Sequence, residues 1–246
     1  MALGLTSVTF RNLSADEIID LAFSAGCEVI EWGGDIHVTN KKEAKEVYEK
    51  CSDKGIRINS YGSYYRLLEN KQTEFERLCE IASVQGAKII RVWLGDKGSK
   101  FTTKECFEKL SNEAEKIAAV ADEYNLIVAS EFHNGTYNDT AKSAIHFLEH
   151  TACKNLKTYW QPMFSGKDIE NLNRVVSETV VVHLFNWNKI GVRYSLKSGE
   201  TKIREFLDIL QNKDYKGDII LEFVKGDKPV NFLEDFNNLK QWYYKN

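Results

Sequence analysis

The chain has 246 residues, of which 43% are hydrophobic, and its formal net charge is −3. This length fits one large α/β unit, since α/β barrels run to about 250 residues. The slight acidity excludes a strongly basic face of the kind that binds a nucleic-acid backbone. The sequence has no apolar run long enough to cross a membrane, and its first residues lack the pattern of a secretory signal. We therefore expect a cytoplasmic protein without a nucleic-acid or membrane partner.

The five cysteines lie far apart in the sequence. They lack the CxxC spacing of zinc sites, and an odd number cannot pair completely within one chain. We expect reduced, structural cysteines, as is usual in a cytosol.

Short runs of apolar and β-branched residues recur along the chain, and an amphipathic segment follows each of them. The predicted strands cover residues 5–10, 28–32, 57–61, 88–93, 127–131, 156–161, 180–185 and 218–223. Several are apolar almost throughout, which is typical of parallel strands covered on both faces. The clearest helix covers residues 103–124, where apolar side chains recur every three or four positions.

Helix boundaries and topology follow from local signals. Ser14 and Glu17 have the spacing of a capping box at the first helix, and helices should stop at Gly26, Gly55, Gly86 and Asn125. Alternation of strand and helix predicts right-handed parallel crossovers. A doubly wound open sheet is the alternative, but the first predicted strand does not run into a glycine-rich turn. The sequence thus predicts the α/β class and a single (β/α)₈ TIM barrel, with one domain over residues 1–246.

Polar residues occupy the predicted carboxyl ends of the strands, which in a barrel form one rim that carries the active site. Glu131, His183 and Glu222 each lie in an otherwise apolar strand, where a charge is costly unless it is paired or bound to a metal. With Gln161 on the strand between them, they form a ligand set suited to one divalent ion, Mn²⁺, Mg²⁺, Co²⁺ or Zn²⁺. The alternative is a structural ion-pair network, with Arg91 between the two glutamates.

Aromatic and basic residues at the same rim indicate a substrate site. Flat rings there could either cover a sugar face or plug the barrel mouth; they belong to Trp32, Trp93, Trp160 and Trp187. Guanidinium groups pair with carboxylate or phosphate oxygens, so four arginines favour an anionic substrate; they are Arg11, Arg66, Arg91 and Arg193. A weaker phosphate signal comes from lysines after the last two strands, namely Lys189, Lys197, Lys225 and Lys228.

Segments distributed in order over nearly the full length resemble one subgroup of the sugar phosphate isomerases/epimerases, in the xylose isomerase-like (endonuclease IV-like) superfamily of TIM barrels. They are SVTFRNLSADEIIDLAFSAGCEVIEWGGDIHV, SYGSYYR, AKIIRVWLGDKGS, ASEFHNGTYNDT, YWQPM, VVHLFNW and ILEFV. The related epimerases hold a divalent ion with a carboxylate from strand five, an aspartate from strand six, a histidine from strand seven and a glutamate from strand eight. Glu131, His183 and Glu222 match this pattern. Gln161 departs from it, because a neutral side chain replaces the aspartate.

The resemblance implies an isomerase or epimerase of carbohydrate metabolism that acts on a sugar phosphate or sugar acid through an enediolate. The metal would polarise the carbonyl, one of Glu131 and Glu222 would remove the α-proton, and the other would return one. The residues expected to bind the substrate are His37, Arg66, Arg91, Trp93, His133 and Arg193. Homodimers are common among the relatives, so a homodimeric partner is an open expectation.

Three other functions are alternatives to this one. A hydro-lyase resembling the inosose dehydratases would use the same base to expel a β-hydroxyl group. A non-catalytic sugar-binding protein would keep the barrel and lose the metal, which Gln161 would suit. An apurinic-site endonuclease needs a zinc cluster and many histidines, whereas this chain has five, of which His146 and His150 fall on a predicted outer helix.

Overall fold

The computed structural model describes residues 1–163, 166–188 and 190–244. Parallel strands pair in chain order and close into a barrel, with β1 beside β8. The strands are β1 (Leu3–Thr6), β2 (Val29–Gly33), β3 (Arg57–Arg66), β4 (Ile89–Trp93), β5 (Ile127–Ser130), β6 (Leu156–Trp160), β7 (Thr179–Leu184) and β8 (Asp218–Leu221). The helices are α1 (Ala15–Ala25), α2 (Lys41–Asp53), α3 (Gln72–Val84), α4 (Lys104–Glu123), α5 (Ala141–Thr151), α6 (Asp168–Val175), α7 (Glu200–Asn212) and α8 (Pro229–Tyr244). The predicted (β/α)₈ TIM barrel is confirmed.

The predicted strand bounds are least accurate at β1 and β3. The first strand was expected at residues 5–10, but β1 ends at Thr6 and Ser7–Phe10 forms a 3₁₀ turn. These four turn residues alternate polar and apolar side chains and are all buried, so their pattern does not distinguish the turn from a strand. β3 continues to Arg66 instead of ending at residue 61, because its pairing with β4 resumes beyond an irregularity between Gly62 and Tyr65.

The helix ends follow the predicted signals. The Ser14 hydroxyl accepts from the Glu17 backbone N–H, and the Glu17 carboxylate accepts from the Ser14 N–H. Gly26 and Asn125 adopt left-handed φ angles of 75° and 56° after α1 and α4. None of the described helices is long and apolar enough to span a membrane. The cysteines are free thiols, as expected.

The strands carry two different apolar surfaces. Because side chains alternate along a strand, residues two apart point to the same side. One set forms a compact interior layer within the barrel, made of Val29, Ile89, Ala129, Tyr159, Val181 and Ile220. Their sequence neighbours, such as Ile30 and Val182, belong to the larger core between barrel and helices. The residue two positions beyond each member of the interior layer therefore points inward, nearer the carboxyl ends of the strands.

Two of the tryptophans expected at the rim lie elsewhere. Trp32 and Trp160 are both 0% exposed and belong to the core between the barrel and the helices. Trp160 packs against Phe206 of α7 with ring centroids 4.9 Å apart. The interpretation of these two rings as sugar-facing platforms is wrong. Trp32 follows the inward-pointing Glu31 and Trp160 precedes the inward-pointing Gln161, so both rings point out of the barrel toward the helices.

We predict that Gly4→Ala strongly destabilises the barrel. A β-carbon at Gly4 would lie 2.0 Å from the carbonyl oxygen of Val29 on the paired strand β2. Overpacking of this kind costs about 3 kcal/mol or more when backbone must move. Urea unfolding at neutral pH measures the loss. Gly55→Ala is the matched control, because its β-carbon meets nothing within 4 Å and its left-handed φ costs only about 1 kcal/mol. Equal losses in the two variants would contradict the close approach of β1 and β2.

Candidate active site

A charged layer lies directly above the interior layer. It consists of the inward residues two positions further along six strands, namely Glu31, Arg91, Glu131, Gln161, His183 and Glu222. All of them are buried. The structure therefore brings together the four residues predicted as metal ligands, from the ends of the adjacent strands β5 to β8, and adds a glutamate and an arginine from the opposite side of the barrel.

Three of the four predicted ligands meet at distances that suit a divalent ion, and the fourth, Gln161, offers a buried oxygen in the same layer. One potential ligand atom from each of Glu131, His183 and Glu222 lies within 4.8 Å of the others. Gln161 Oε1 and His183 Nδ1 are buried, and neither has a hydrogen-bond partner in the described part of the chain. Buried polar atoms are normally satisfied, and carboxylate oxygens with an imidazole nitrogen and an amide oxygen suit a divalent transition metal. This donor set therefore has both the chemistry and the free atoms that metal binding needs.

Arg91 pairs with two glutamates of this layer. Its Nε lies 3.5 Å from Glu131 Oε2, and its Nη1 lies 3.3 Å from Glu31 Oε1. Burial disfavours the charged guanidinium, but Glu131 and Glu31 outweigh it and raise the pKa of Arg91 well above its ordinary value. The ion-pair network considered as an alternative thus exists in part. It joins Glu131 to Glu31, however, rather than to Glu222.

Glu31 is the functional candidate that the sequence analysis missed. Its side chain is fully buried and accepts hydrogen bonds from three hydroxyl groups, those of Thr6 at 3.1 Å, Ser60 at 2.8 Å and Tyr159 at 2.9 Å. Burial opposes its charge, yet Arg91 and His183 hold the pKa of Glu31 far below its usual range. The sequence does contain the relevant pattern, because Glu31 ends the apolar run Val-Ile in β2 just as Glu222 ends the apolar run Ile-Leu in β8.

Three predicted substrate residues gather beside Glu131. The Trp93 indole Nε1 donates a hydrogen bond to Glu131. The Arg66 guanidinium lies over the Trp93 ring, 4.4 Å from its centroid, and the His133 ring lies 5.5 Å away. Arg66 also pairs with Glu69 at 3.2 Å. Trp93 therefore connects one rim of the site to a predicted catalytic carboxylate.

A second aromatic group lies beside Glu222. Arg193 pairs with Asp227 and lies 4.1 Å from the Phe223 centroid and 5.2 Å from that of Trp187. Phe223, which directly follows Glu222, has φ +45°. A bulky residue in the left-handed region is strained, and such strain concentrates at functional sites.

A similar outlier lies at the end of β3. Tyr64 has φ +57°, and its hydroxyl accepts from Arg11 at 3.0 Å. Its ring lies 5.5 Å from the Arg91 guanidinium and 5.4 Å from the Trp93 ring. Tyr64 therefore contributes an aromatic wall beside the charged layer, which the sequence analysis did not assign.

His37 is not brought into this cluster. Its Nδ1 lies 3.0 Å from the Ser7 hydroxyl and its Nε2 lies 3.2 Å from the Leu13 carbonyl. Burial lowers the pKa of this imidazole, so it is neutral near pH 7. Both nitrogens are engaged in holding the loops after β1 and β2, a supporting position rather than one facing the site.

The rim arginines all have carboxylate partners. The pairs are Arg11–Asp35, Arg66–Glu69, Arg91 with Glu31 and Glu131, and Arg193–Asp227. Lys197 likewise pairs with Glu200, and Lys189 lies outside the described residues. An anionic substrate group would therefore share each of these guanidinium groups with the protein.

Comparison with known proteins identifies the family. The family described as xylose isomerase-like TIM barrel matches residues 19–242. The chain belongs to this family.

The chain is similar to a dehydratase in sequence and to several enzymes in fold. The chain is 27% identical over 170 residues to a 3-dehydroshikimate dehydratase of Bacillus anthracis, a match that covers 64% of this chain and 60% of the relative. The structure of a probable 3-DHS dehydratase of the same organism superposes with a TM-score of 0.85 at 20% identity, covering 98% of this chain and 99% of that one. A D-psicose 3-epimerase from Clostridium cellulolyticum H10 gives a TM-score of 0.77 at 14% identity, with 99% of each chain covered. At these identities the two structures support the fold alone.

We predict that the wild-type chain retains one divalent ion after dialysis against Mn²⁺. Glu131→Gln and Glu222→Gln should each weaken Mn²⁺ binding by more than about 100-fold, since even outer-shell changes cost 10–100-fold. Elemental analysis and titration calorimetry measure the stoichiometry and the dissociation constant. Glu149→Gln, an exposed change on α5, is the control and should bind like the wild type. Unchanged affinity in both site variants would rule out this ligand set.

Proposed function

We propose that the chain is an enzyme that removes a proton from a carbon next to the carbonyl group of a small hydroxylated substrate. Glu131, Gln161, His183 and Glu222 would hold a divalent ion, which when bound would supply a Lewis acid for the substrate oxygen. The observation that carries this proposal is the buried pair of carboxylates within 4.8 Å of each other and of His183. Two carboxylates at the mouth of a barrel can take up and return a proton.

The surroundings of the two glutamates suggest different roles. Glu131 accepts from the Trp93 indole and faces the Arg91 guanidinium. Both contacts occupy the Glu131 carboxylate and leave it less free to approach a substrate proton. Glu222 has one close polar partner among the described residues, His183 Nδ1 at 3.4 Å. We therefore assign proton removal to Glu222, and proton return or assistance to the leaving group to Glu131.

Proton removal leads to either of two outcomes. Return of a proton to the neighbouring carbon or to the opposite face gives isomerisation or epimerisation, the reaction implied by the sequence resemblance. Departure of a β-hydroxyl group gives loss of water, and the 27% identity to a 3-dehydroshikimate dehydratase supports this outcome. Of the two, we propose water loss as the first reaction to test, on a cyclic hydroxylated keto acid. The candidates to bind its carboxylate are Arg66, which lies over the Trp93 ring, and Arg193, which lies over the ring of Phe223, the residue after Glu222.

We predict that the Mn²⁺-loaded protein removes one water molecule from 3-dehydroshikimate. Mass spectrometry of the product detects the loss, and the same incubation with D-psicose in D₂O tests for epimerisation. Deuterium gain on the ketose without change in carbon skeleton would contradict water loss and favour the epimerase reaction. If neither compound loses water or exchanges a carbon-bound proton, these two substrate assignments are both wrong.

The carboxylates provide the second test of this function. With metal raised until occupancy is restored, Glu131→Gln and Glu222→Gln should each lower the turnover rate by about 10²–10⁴-fold, the usual contribution of a general acid or base. Glu149→Gln should keep the wild-type rate. Substantial turnover in both site variants would remove the glutamates from the mechanism.

A further inference from the structure

We infer that Glu31 is a positioning residue that determines which ring nitrogen of His183 faces the metal ligands. The inference rests on the proposed metal centre and adds a residue from the far side of the barrel. Glu31 belongs to β2, whereas His183 belongs to β7. Their side chains meet at the barrel axis.

The two nitrogens of His183 have different surroundings. Nε2 lies 3.3 Å from both carboxylate oxygens of Glu31. Nδ1 lies 3.4 Å from Glu222 Oε2 and is buried without a hydrogen-bond partner among the described residues. A neutral imidazole has one N–H donor and one lone pair. Burial lowers the pKa of His183, but Glu222 and Glu31 outweigh it and raise this pKa to about 10, so both nitrogens are protonated when no ion is bound. An ion bound between Nδ1 and Glu222 would replace the Nδ1 proton, and Glu31, which as an ionised carboxylate can only accept, would hold the remaining proton on Nε2.

Glu31 is itself held in place from several strands. Hydroxyl groups from β1, β3 and β6 donate to it, and these belong to Thr6, Ser60 and Tyr159. Arg91 from β4 lies 3.3 Å away and balances its charge. A carboxylate with this many donors has little freedom to rotate, so the imidazole that it contacts is fixed as well. Outer carboxylates of this kind orient ligand histidines and raise their basicity.

A merely structural role for the Glu31–Arg91 ion pair is the alternative explanation. The two explanations differ in what they predict for the imidazole. An ion pair that only stabilises the barrel would be indifferent to the His183 tautomer. The positioning role requires that Nε2 carries the proton and that Nδ1 binds the ion.

The experiment uses the full-length protein loaded with Zn²⁺, which is diamagnetic, and labelled with ¹⁵N in its histidine rings. We expect the His183 spectrum to show a metal-bound Nδ1 and a protonated, slowly exchanging Nε2; His183→Gln identifies the signals. Glu31→Gln should weaken Zn²⁺ binding by about 10–100-fold. It should also speed exchange of the Nε2 proton, because a glutamine can donate to Nε2 as well as accept from it and so no longer holds the proton there. Tyr159→Phe, which keeps the Glu31 charge and removes one hydrogen bond, is the matched control and should change the affinity by less than about tenfold.

The outcomes separate this inference from the proposed function. A wild-type protein that binds no ion would overturn the metal centre and this role of Glu31 together. A wild-type protein that binds Zn²⁺ through Nε2, or a folded Glu31→Gln variant with wild-type affinity, would overturn the role of Glu31 and leave the metal centre standing. If Glu31→Gln does not fold, the wild-type ring spectrum alone decides, because it requires no variant of Glu31.

Discussion

The arrangement of this site depends on burying one ion pair inside the barrel. Neither Glu31 nor Arg91 could occupy the charged layer alone, because an unpaired buried charge costs on the order of several kcal/mol. Together they lie 3.3 Å apart, and the remaining lone pairs of Glu31 are used by hydroxyl groups and by His183. This pair occupies the side of the barrel formed by β2 and β4. Two buried atoms without a hydrogen-bond partner among the described residues, Gln161 Oε1 and His183 Nδ1, lie on the opposite side, from β5 to β8.

The guanidinium of the same ion pair gives the two predicted catalytic glutamates different contacts. Arg91 reaches Glu131 as well as Glu31, and it does not pair with Glu222. Glu131 is further held by the Trp93 indole, whereas Glu222 lies against the imidazole. Two carboxylates of identical chemistry thus have different partners, an indole and a guanidinium for Glu131 and an imidazole for Glu222. The difference arises from β2 and β4, which contribute no predicted metal ligand.

Alternation along the strands explains which parts of the site could be predicted from the sequence. Glu131, His183 and Glu222 stood out because each interrupts an apolar run at its carboxyl end. Glu31 obeys the same rule, but it is followed by Trp32, whose ring also fits a substrate site by residue type although it faces outward. A one-residue error in direction exchanges the two faces of a strand, which is how Trp32 and Trp160 were misassigned. The partners of the rim arginines could not be predicted, because Asp35, Glu69 and Asp227 come from loops whose paths the sequence pattern does not determine.

Charge balance bears on the departure at Gln161. With an ion bound to Nδ1, His183 would be neutral like Gln161, Glu131 and Glu222 would supply two negative charges, and Glu31 would offset Arg91. The proposed ligand set would therefore balance one divalent ion, whereas an aspartate at Gln161 would leave an excess negative charge. An excess charge would oppose the further negative charge that develops on a substrate oxygen when its α-proton is removed. In a buried layer such an effect is weakly screened, so the neutral amide is compatible with proton abstraction and does not by itself indicate a site that has lost its metal. The unpartnered Gln161 Oε1 is what an amide ligand would present.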